Sequence, residues 1–164
     1  MRFETEPIEE EKIQDILEAG RWAPSWLNEQ PWVFILMTDP DLKQRISELV
    51  PTVFRLGMKE APLSIAVCVN PEKDSSHFIE DGAAATQNMI LAAHSLGLGS
   101  CWIGVFNISG AKDSTEERIK EILNLLRTYR VISILPIGVP KYLEEKKRME
   151  LSQLVYRNRF QESA

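Results

Sequence analysis

The side chains that most often act as nucleophiles, bases or metal ligands are few in this sequence. It contains two cysteines, Cys68 and Cys101, and two histidines, His77 and His94. Neither cysteine belongs to a CxxC pair, no G-x-S-x-G turn occurs, and the histidines stand alone. We therefore expect free structural thiols, a packed or surface His94, no metal site and no catalytic side chain.

Phosphate-binding loops are missing from their usual places. A flavodoxin-like carrier or a dinucleotide-binding domain needs a glycine-rich or hydroxyl-rich loop after its first strand. Here the first predicted strand is followed by Thr38-Asp39-Pro40, whose acidic side chain repels phosphate, and Gly97-Leu98-Gly99 precedes a strand instead of opening a helix. Both of these nucleotide-binding classes are disfavoured.

Three segments carry a more specific pattern. Residues 23–37 begin Ala-Pro-Ser-Trp-Leu-Asn-Glu-Gln-Pro-Trp and continue with an apolar run. Residues 81–88 are rich in small side chains, 97–104 read Gly-Leu-Gly-Ser-Cys-Trp-Ile-Gly, and 138–151 form a glycine- and proline-led basic segment. In this order they resemble the nitroreductase family, whose pattern before the first strand is A-P-S-x-x-N-x-Q-P-W.

The resemblance implies a homodimer with FMN at the subunit interface and NAD(P)H as the reductant. It implies hydride transfer through flavin N5 to a nitroaromatic, quinone or similar small oxidant by a ping-pong mechanism. The implied cofactor-binding residues are Pro24, Ser25, Trp26, Asn28, Trp102, Ile103, Gly104, Lys146 and Arg148.

The resemblance also implies a role for each segment. The loop containing Ser25 and Asn28 would hydrogen-bond the partner subunit's flavin, while Trp26 would lie against the ring or pack at the dimer rim. Backbone N–H groups of residues 102–104 would stabilise negative charge on the ring, unless this is simply a strand end. The basic residues of 146–148 would bind the FMN phosphate, although without the resemblance they are an ordinary solvated charge run.

The N-terminus departs from the family pattern. Members carry a segment close to R-R-S-x-R-x-F that binds the FMN phosphate, whereas this sequence begins Met1-Arg2-Phe3. Phe3 matches the end of that motif, and Arg2 is the remaining basic candidate. Three explanations are open: the protein begins upstream, it binds flavin weakly, or it is a non-enzymatic flavin- or small-molecule-binding dimer with an incomplete phosphate site.

Hydrophobic periodicity and turn residues predict the elements that position these groups. Helices are predicted over 9–22, 39–50, 78–96 and after the capping box at 114–117, and buried strands over 32–37, 63–69, 101–105 and 131–137. The longest helix contains a small-residue run at 82–85, which either permits close approach at a subunit interface or reflects helix propensity alone. A charged loop over 141–148 and a mixed tail over 151–160 follow.

This alternation predicts an α/β (α+β) fold, a nitroreductase-like three-layer α-β-α sandwich with a central mixed sheet and a C-terminal tail that packs on the partner subunit. The 164 residues suit one domain over 1–164, with 44% hydrophobic and 26% charged residues. A net charge of -5 with scattered basic residues argues against nucleic acid as a partner. Apolar runs are shorter than the ~20 residues of a membrane span, so we expect a cytoplasmic protein that acts on a small molecule.

Overall fold

The computed structural model describes residues 1–143 and 146–160. Its helices are α1 (Glu10–Arg21), α2 (Pro40–Ser47), α3 (Thr52–Glu60), α4 (Phe78–Ser95) and α5 (Thr115–Ile122). Its strands are β1 (Trp32–Met37), β2 (Leu63–Val69), β3 (Gly99–Ser100), β4 (Ile103–Gly104) and β5 (Arg130–Gly138). Within the predicted loop over 141–148, Glu144 and Glu145 lie outside the described residues.

The strands form one sheet in the order β1-β2-β5-β3, and β4 also pairs with β5. Every described strand pair is antiparallel, so the expectation of a mixed sheet is wrong. The reason is the position of β5. Because β2 and β3 both run antiparallel to β5, they point in the same direction, but β5 lies between them and prevents them from pairing.

The predicted three layers are confirmed by two cores on opposite faces of the sheet. On one face α1 and α4 cover Ile65, Val67 and Leu135, and on the other α2, α3 and α5 cover Ala66 and Cys68. This division follows the alternation of side chains along each strand. Because β2 contributes to both cores, all its residues are buried.

Strand β1 has the predicted bounds but is not fully buried. Within the described part of the chain it pairs with β2 alone, and Leu36 is 41% exposed. Its outer edge is therefore open, and the sequence could not distinguish an edge strand from a central one because both are apolar.

Helix capping follows the local sequence. Ser114 Oγ accepts a hydrogen bond from Glu117 N at 3.3 Å, as a capping serine does, and the long helix α4 is followed by Gly97 with a φ of +77°. Helix α3 was not predicted. Pro51 follows the predicted helix over 39–50, whose counterpart α2 ends at Ser47, and it immediately precedes Thr52, the first residue of α3.

Gly82 of α4 packs closely against the sheet of its own subunit. A Cβ added to Gly82 would lie 2.6 Å from Ile132 Cγ1 and 2.9 Å from Val69 Cγ1, so the helix sits too close to the sheet for any larger residue. Gly20 of α1 makes a similar close approach to Met89 of α4. None of the helices in residues 1–143 and 146–160 is long and apolar enough to cross a membrane.

Candidate functional site

The loop between α1 and β1, residues 23–31, holds the first group of predicted site residues. Gln30 N donates to Ser25 Oγ at 3.0 Å, and Gln30 Nε2 donates to Asn28 O at 3.1 Å. The backbone is left-handed at Leu27, Asn28 and Gln30, with φ of 47°, 62° and 48°. These bonds fold the loop tightly and leave Trp26 52% exposed. Gln30 thus supports the loop from within.

A cluster of polar residues lies under this loop. Trp26 N donates to Asp81 Oδ1 at 3.0 Å, and its indole stacks on the His77 imidazole with ring centroids 4.2 Å apart. His77 Nδ1 lies 3.5 Å from Asp74 Oδ2. The expectation that His77 stands alone is wrong, because the fold brings Trp26 to it from a distant part of the chain. An acidic residue in the first turn of α4 is ordinary, so the sequence carried no separate signal for Asp81.

The second group of predicted site residues lies where a continuous strand was expected over 101–105. The strand is interrupted. Both β3 and β4 pair with β5, and residues 101 and 102 between them belong to neither strand. Ile103 is fully buried in the core, which limits any ligand contact to its backbone. Gly104 is exposed. Among the described residues, the atom nearest to a Cβ added at Gly104 is Trp102 Nε1, which lies 3.9 Å away. A planar group can therefore approach the Gly104 backbone closely.

The loop after Gly104 is fixed by a buried ion pair that sequence reasoning missed. Glu116 is 1% exposed and accepts from Arg130 Nε at 2.7 Å, Asn107 N at 2.8 Å and Val131 N at 3.0 Å. The guanidinium of Arg130 also lies 4.5 Å from the centroid of the Phe106 ring. Glu116 lies in the predicted capping box at 114–117, so its position in the sequence was explained by the helix start and gave no sign of an ion pair with Arg130.

Lys146 and Arg148 lie in the exposed C-terminal segment. Arg148 Nη1 donates to Lys147 O at 3.3 Å. Burial raises the pKa of the Cys101 thiol, while the positive charge of Lys146 acts in the opposite direction. Lys146 is therefore close enough to the broken strand for its charge to be felt there.

The side chain of Arg2 is paired with Glu60. Its Nε donates to Glu60 Oε2 at 2.6 Å, its Nη2 contacts the other carboxylate oxygen, and Lys141 adds a second cation. The hydrogen bond from Arg2 lowers the pKa of Glu60 to about 2. Since Glu60 already neutralises it, Arg2 is a poor candidate for a phosphate contact, and its role here is to pin the N-terminus to α3.

The donor set suits FMN. The hydrogen bond from Trp26 N to Asp81 places residues 24–28 against α4, and the positive charge of Lys146 acts on Cys101, which adjoins residues 102–104. The first group offers the Ser25 hydroxyl, the Asn28 amide and the exposed Trp26 indole. The second group offers the open backbone of Gly104 and the positive charge of Lys146. A flat ring system, a hydroxylated chain and a phosphate need these three kinds of partner.

Residues 2–56 and 51–139 match the model of the Nitroreductase family. A protein of Methanothermobacter thermautotrophicus, provisionally named NADH dehydrogenase/NAD(P)H nitroreductase, is 33% identical over 85% of this chain and 71% of its own length. The solved FMN-dependent nitroreductase of Clostridium difficile R20291 is 32% identical with a TM-score of 0.82, covering 99% of this chain and 93% of that one.

A solved structure from Parabacteroides distasonis is 31% identical with a TM-score of 0.86, covering 97% of this chain and 91% of that one. The three-layer α+β sandwich is the fold of these solved oxidoreductases. This chain belongs to the nitroreductase family and is an oxidoreductase.

Proposed function

We propose that this protein is an FMN-dependent oxidoreductase that uses NAD(P)H to reduce a nitroaromatic, a quinone or a similar small oxidant by a ping-pong mechanism. The observation that carries this proposal is the open backbone of Gly104 beside the 36% exposed Trp102. When bound, FMN would supply the hydride chemistry, which no protein side chain provides alone. The family membership supports the reaction class.

The protein's own residues would bind and orient the reactants. Lys146 and Arg148 would hold the phosphate through charge-assisted hydrogen bonds. The hydroxyl of Ser25 and the amide of Asn28 would hydrogen-bond the polar chain or ring edge, with Pro24 setting the loop's entry. One face of Trp26 is covered by His77, so the indole would use its other face for stacking.

We propose that the two groups of residues meet across a homodimer. The C-terminal segment supports this, because its apolar side chains are exposed in the single chain: Leu151, Leu154, Val155, Tyr156 and Phe160. Exposed apolar surface on this scale marks an interface. Packing the segment on the partner subunit would bury it. Sedimentation equilibrium at micromolar concentration should give twice the chain mass, and a stable monomer would remove the basis of the shared site.

Two free cysteines suit a reducing compartment, so we place the protein in the cytoplasm. Cell fractionation with an antibody to the chain would test this placement. Recovery of the protein in an extracellular fraction would contradict it.

Flavin titration tests the function directly. We expect the purified protein to bind FMN and quench its fluorescence, and NADH or NADPH to bleach the flavin absorbance under anaerobic conditions. Initial rates with varied NAD(P)H and oxidant should give parallel double-reciprocal lines. A colourless protein that takes up no FMN would instead favour the non-enzymatic alternative, and intersecting lines would contradict the ping-pong mechanism.

The variant Gly104→Ala separates a binding role from a structural one. Among the described residues the added methyl would meet nothing closer than 3.9 Å, so the unfolding free energy should change by less than about 1 kcal/mol. FMN affinity should nevertheless fall at least about tenfold, equivalent to ~1.4 kcal/mol, because the methyl occupies the open space. Unchanged affinity would show that the flavin does not approach this backbone.

A further inference from the structure

The loop 25–30 has a backbone that costs free energy to maintain. Leu27, Asn28 and Gln30 occupy the left-handed region although none is a glycine. L-residues populate this region rarely, and such conformations persist only where surrounding contacts over-determine them. The contacts that hold this loop in place therefore decide whether its side chains are available in a fixed arrangement.

The principal contact from outside the loop comes from the cluster of Asp74, His77 and Asp81, called here the Asp–His cluster. Asp81 is 4% exposed, and its Oδ1 accepts from Trp26 N, the amide at the start of the left-handed turn. The His77 ring covers one face of the Trp26 indole at an interplanar angle of 20°. The cluster thus fixes both the backbone and the side chain of the same loop residue.

The cluster is poorly arranged for stability alone. Asp81 Oδ2 is buried and has no hydrogen-bond partner among the described residues, and Asp74 Oδ2 and His77 Nδ1 lie 3.5 Å apart without the geometry of a hydrogen bond. Buried polar atoms without partners are destabilising, and groups of them call for a functional explanation. A carboxylate held in this way at the edge of the candidate flavin site is better explained by what it positions.

We propose that Asp81 is a positioning residue for the flavin-contact loop, with His77 backing Trp26 and Asp74 orienting His77. The carboxylate holds the Trp26 amide and so maintains the left-handed turn that presents Ser25 and Asn28. This inference rests on the proposed flavin function. Asp81 acts through the loop and does not itself need to touch the cofactor.

The proposal gives the site a pH dependence. Burial raises the pKa of Asp81, and the negative charges of Asp74 and Glu80 raise it further. The hydrogen bond from Trp26 N and the charge of His77 act to lower this pKa. The ionised carboxylate is the stronger acceptor for the Trp26 amide. FMN affinity should therefore be highest where Asp81 is ionised, and it should decline as the pH falls. Because the pKa of Asp81 is raised, this decline should begin at a higher pH than for an ordinary aspartate.

Two variants and one control test the proposal. Asp81→Asn keeps the shape but removes the charge, and Asp81→Ala removes the acceptor. We expect FMN affinity at pH 8 to fall about tenfold to a hundredfold in Asp81→Ala, the range of one lost charged hydrogen bond, and less in Asp81→Asn. The pH dependence of FMN affinity should flatten in both. The control Glu80→Gln, which alters the adjacent exposed carboxylate, should stay within about twofold of wild type.

Hydrogen exchange of the flavin-free protein gives a second readout. The peptide covering residues 25–30 should exchange faster in Asp81→Ala, while the thermal midpoint changes little, because the lost hydrogen bond from Trp26 N is offset by removal of a carboxylate whose Oδ2 is buried without a partner among the described residues. Wild-type protein that binds no FMN would overturn the proposed function and this inference together. Wild type and both Asp81 variants binding FMN equally well would overturn this inference alone. A fall in midpoint with uniformly faster exchange would overturn it in favour of a purely structural role.

Discussion

Replacing Glu116 by glutamine should strongly destabilise the protein. Glu116 is 1% exposed and accepts hydrogen bonds from the Arg130 side chain and from two backbone amides, those of Asn107 and Val131. The substitution keeps the shape but leaves the Arg130 guanidinium without its counter-charge. Removing one partner of a buried pair costs about 3–5 kcal/mol. Because the Arg130 side chain is 20% exposed, water recovers part of that cost, and we expect about 2–4 kcal/mol.

Urea unfolding followed by circular dichroism measures this cost. With a slope of about 1–3 kcal/mol per molar urea, the midpoint should fall by about 0.7–4 M. Glu121→Gln, at an exposed position on the same helix, is the matched control and should change the free energy of unfolding by less than about 0.5 kcal/mol. The double variant Glu116→Gln/Arg130→Met should recover part of the loss, because no uncompensated charge remains.

Two results would refute this reasoning. The first is a Glu116→Gln protein whose unfolding free energy lies within about 1 kcal/mol of wild type, which would mean that the pair contributes no more than an exposed one. The second is a double variant as unstable as the sum of its single changes, which would show that Glu116 and Arg130 are not coupled.

Three further outcomes follow from the structure. Because Arg2 lowers the pKa of Glu60 to about 2, the ion pair stabilises the fold above pH 4.5 and loses this effect as the pH falls from 4.5 towards 2. Glu60→Gln should thus be about 1 kcal/mol less stable at pH 7, allowing for solvent around Arg2, and thermal melts should show this difference shrinking as the pH falls towards 2. Gly82→Ala should cost about 1–3 kcal/mol by overpacking, seen as a drop of several degrees in the melting temperature. A thiol reagent should label Cys101 before Cys68, whose burial raises its pKa to about 12, and label Cys68 only with denaturant; equal native rates would contradict this.

Much of the fold could be predicted where the deciding information is local. Strand β2 and the long helix α4 lie within a residue of the predicted bounds, because a continuous apolar run, the spacing of prolines and a terminal glycine specify them. The bounds of the strand predicted over residues 101–105 could not be predicted in this way. Whether they form one strand or two depends on how they pair with β5, and that partner lies in a distant part of the sequence.

The candidate site could be predicted only in part, for the same reason. The loop around Ser25 was recognisable because its residue types occur at fixed offsets in one short segment. Asp81 and His77 are separated from Trp26 by about a third of the chain, and each has an ordinary local explanation as a helix-start residue. Their arrangement is a property of tertiary structure, which spacing in the sequence does not reveal.

The placement of β5 in the sheet also bears on the order in which the molecule can assemble. Ile65 of β2 pairs with Leu135, and β5 borders β2, β3 and β4. During synthesis, the strands already made have no central partner until β5 emerges from the ribosome. Pairing over so long a stretch of chain is slow, and nascent chains that stop before residue 130 would expose β2 as an apolar edge. We expect such truncated chains to depend on chaperones and to aggregate without them.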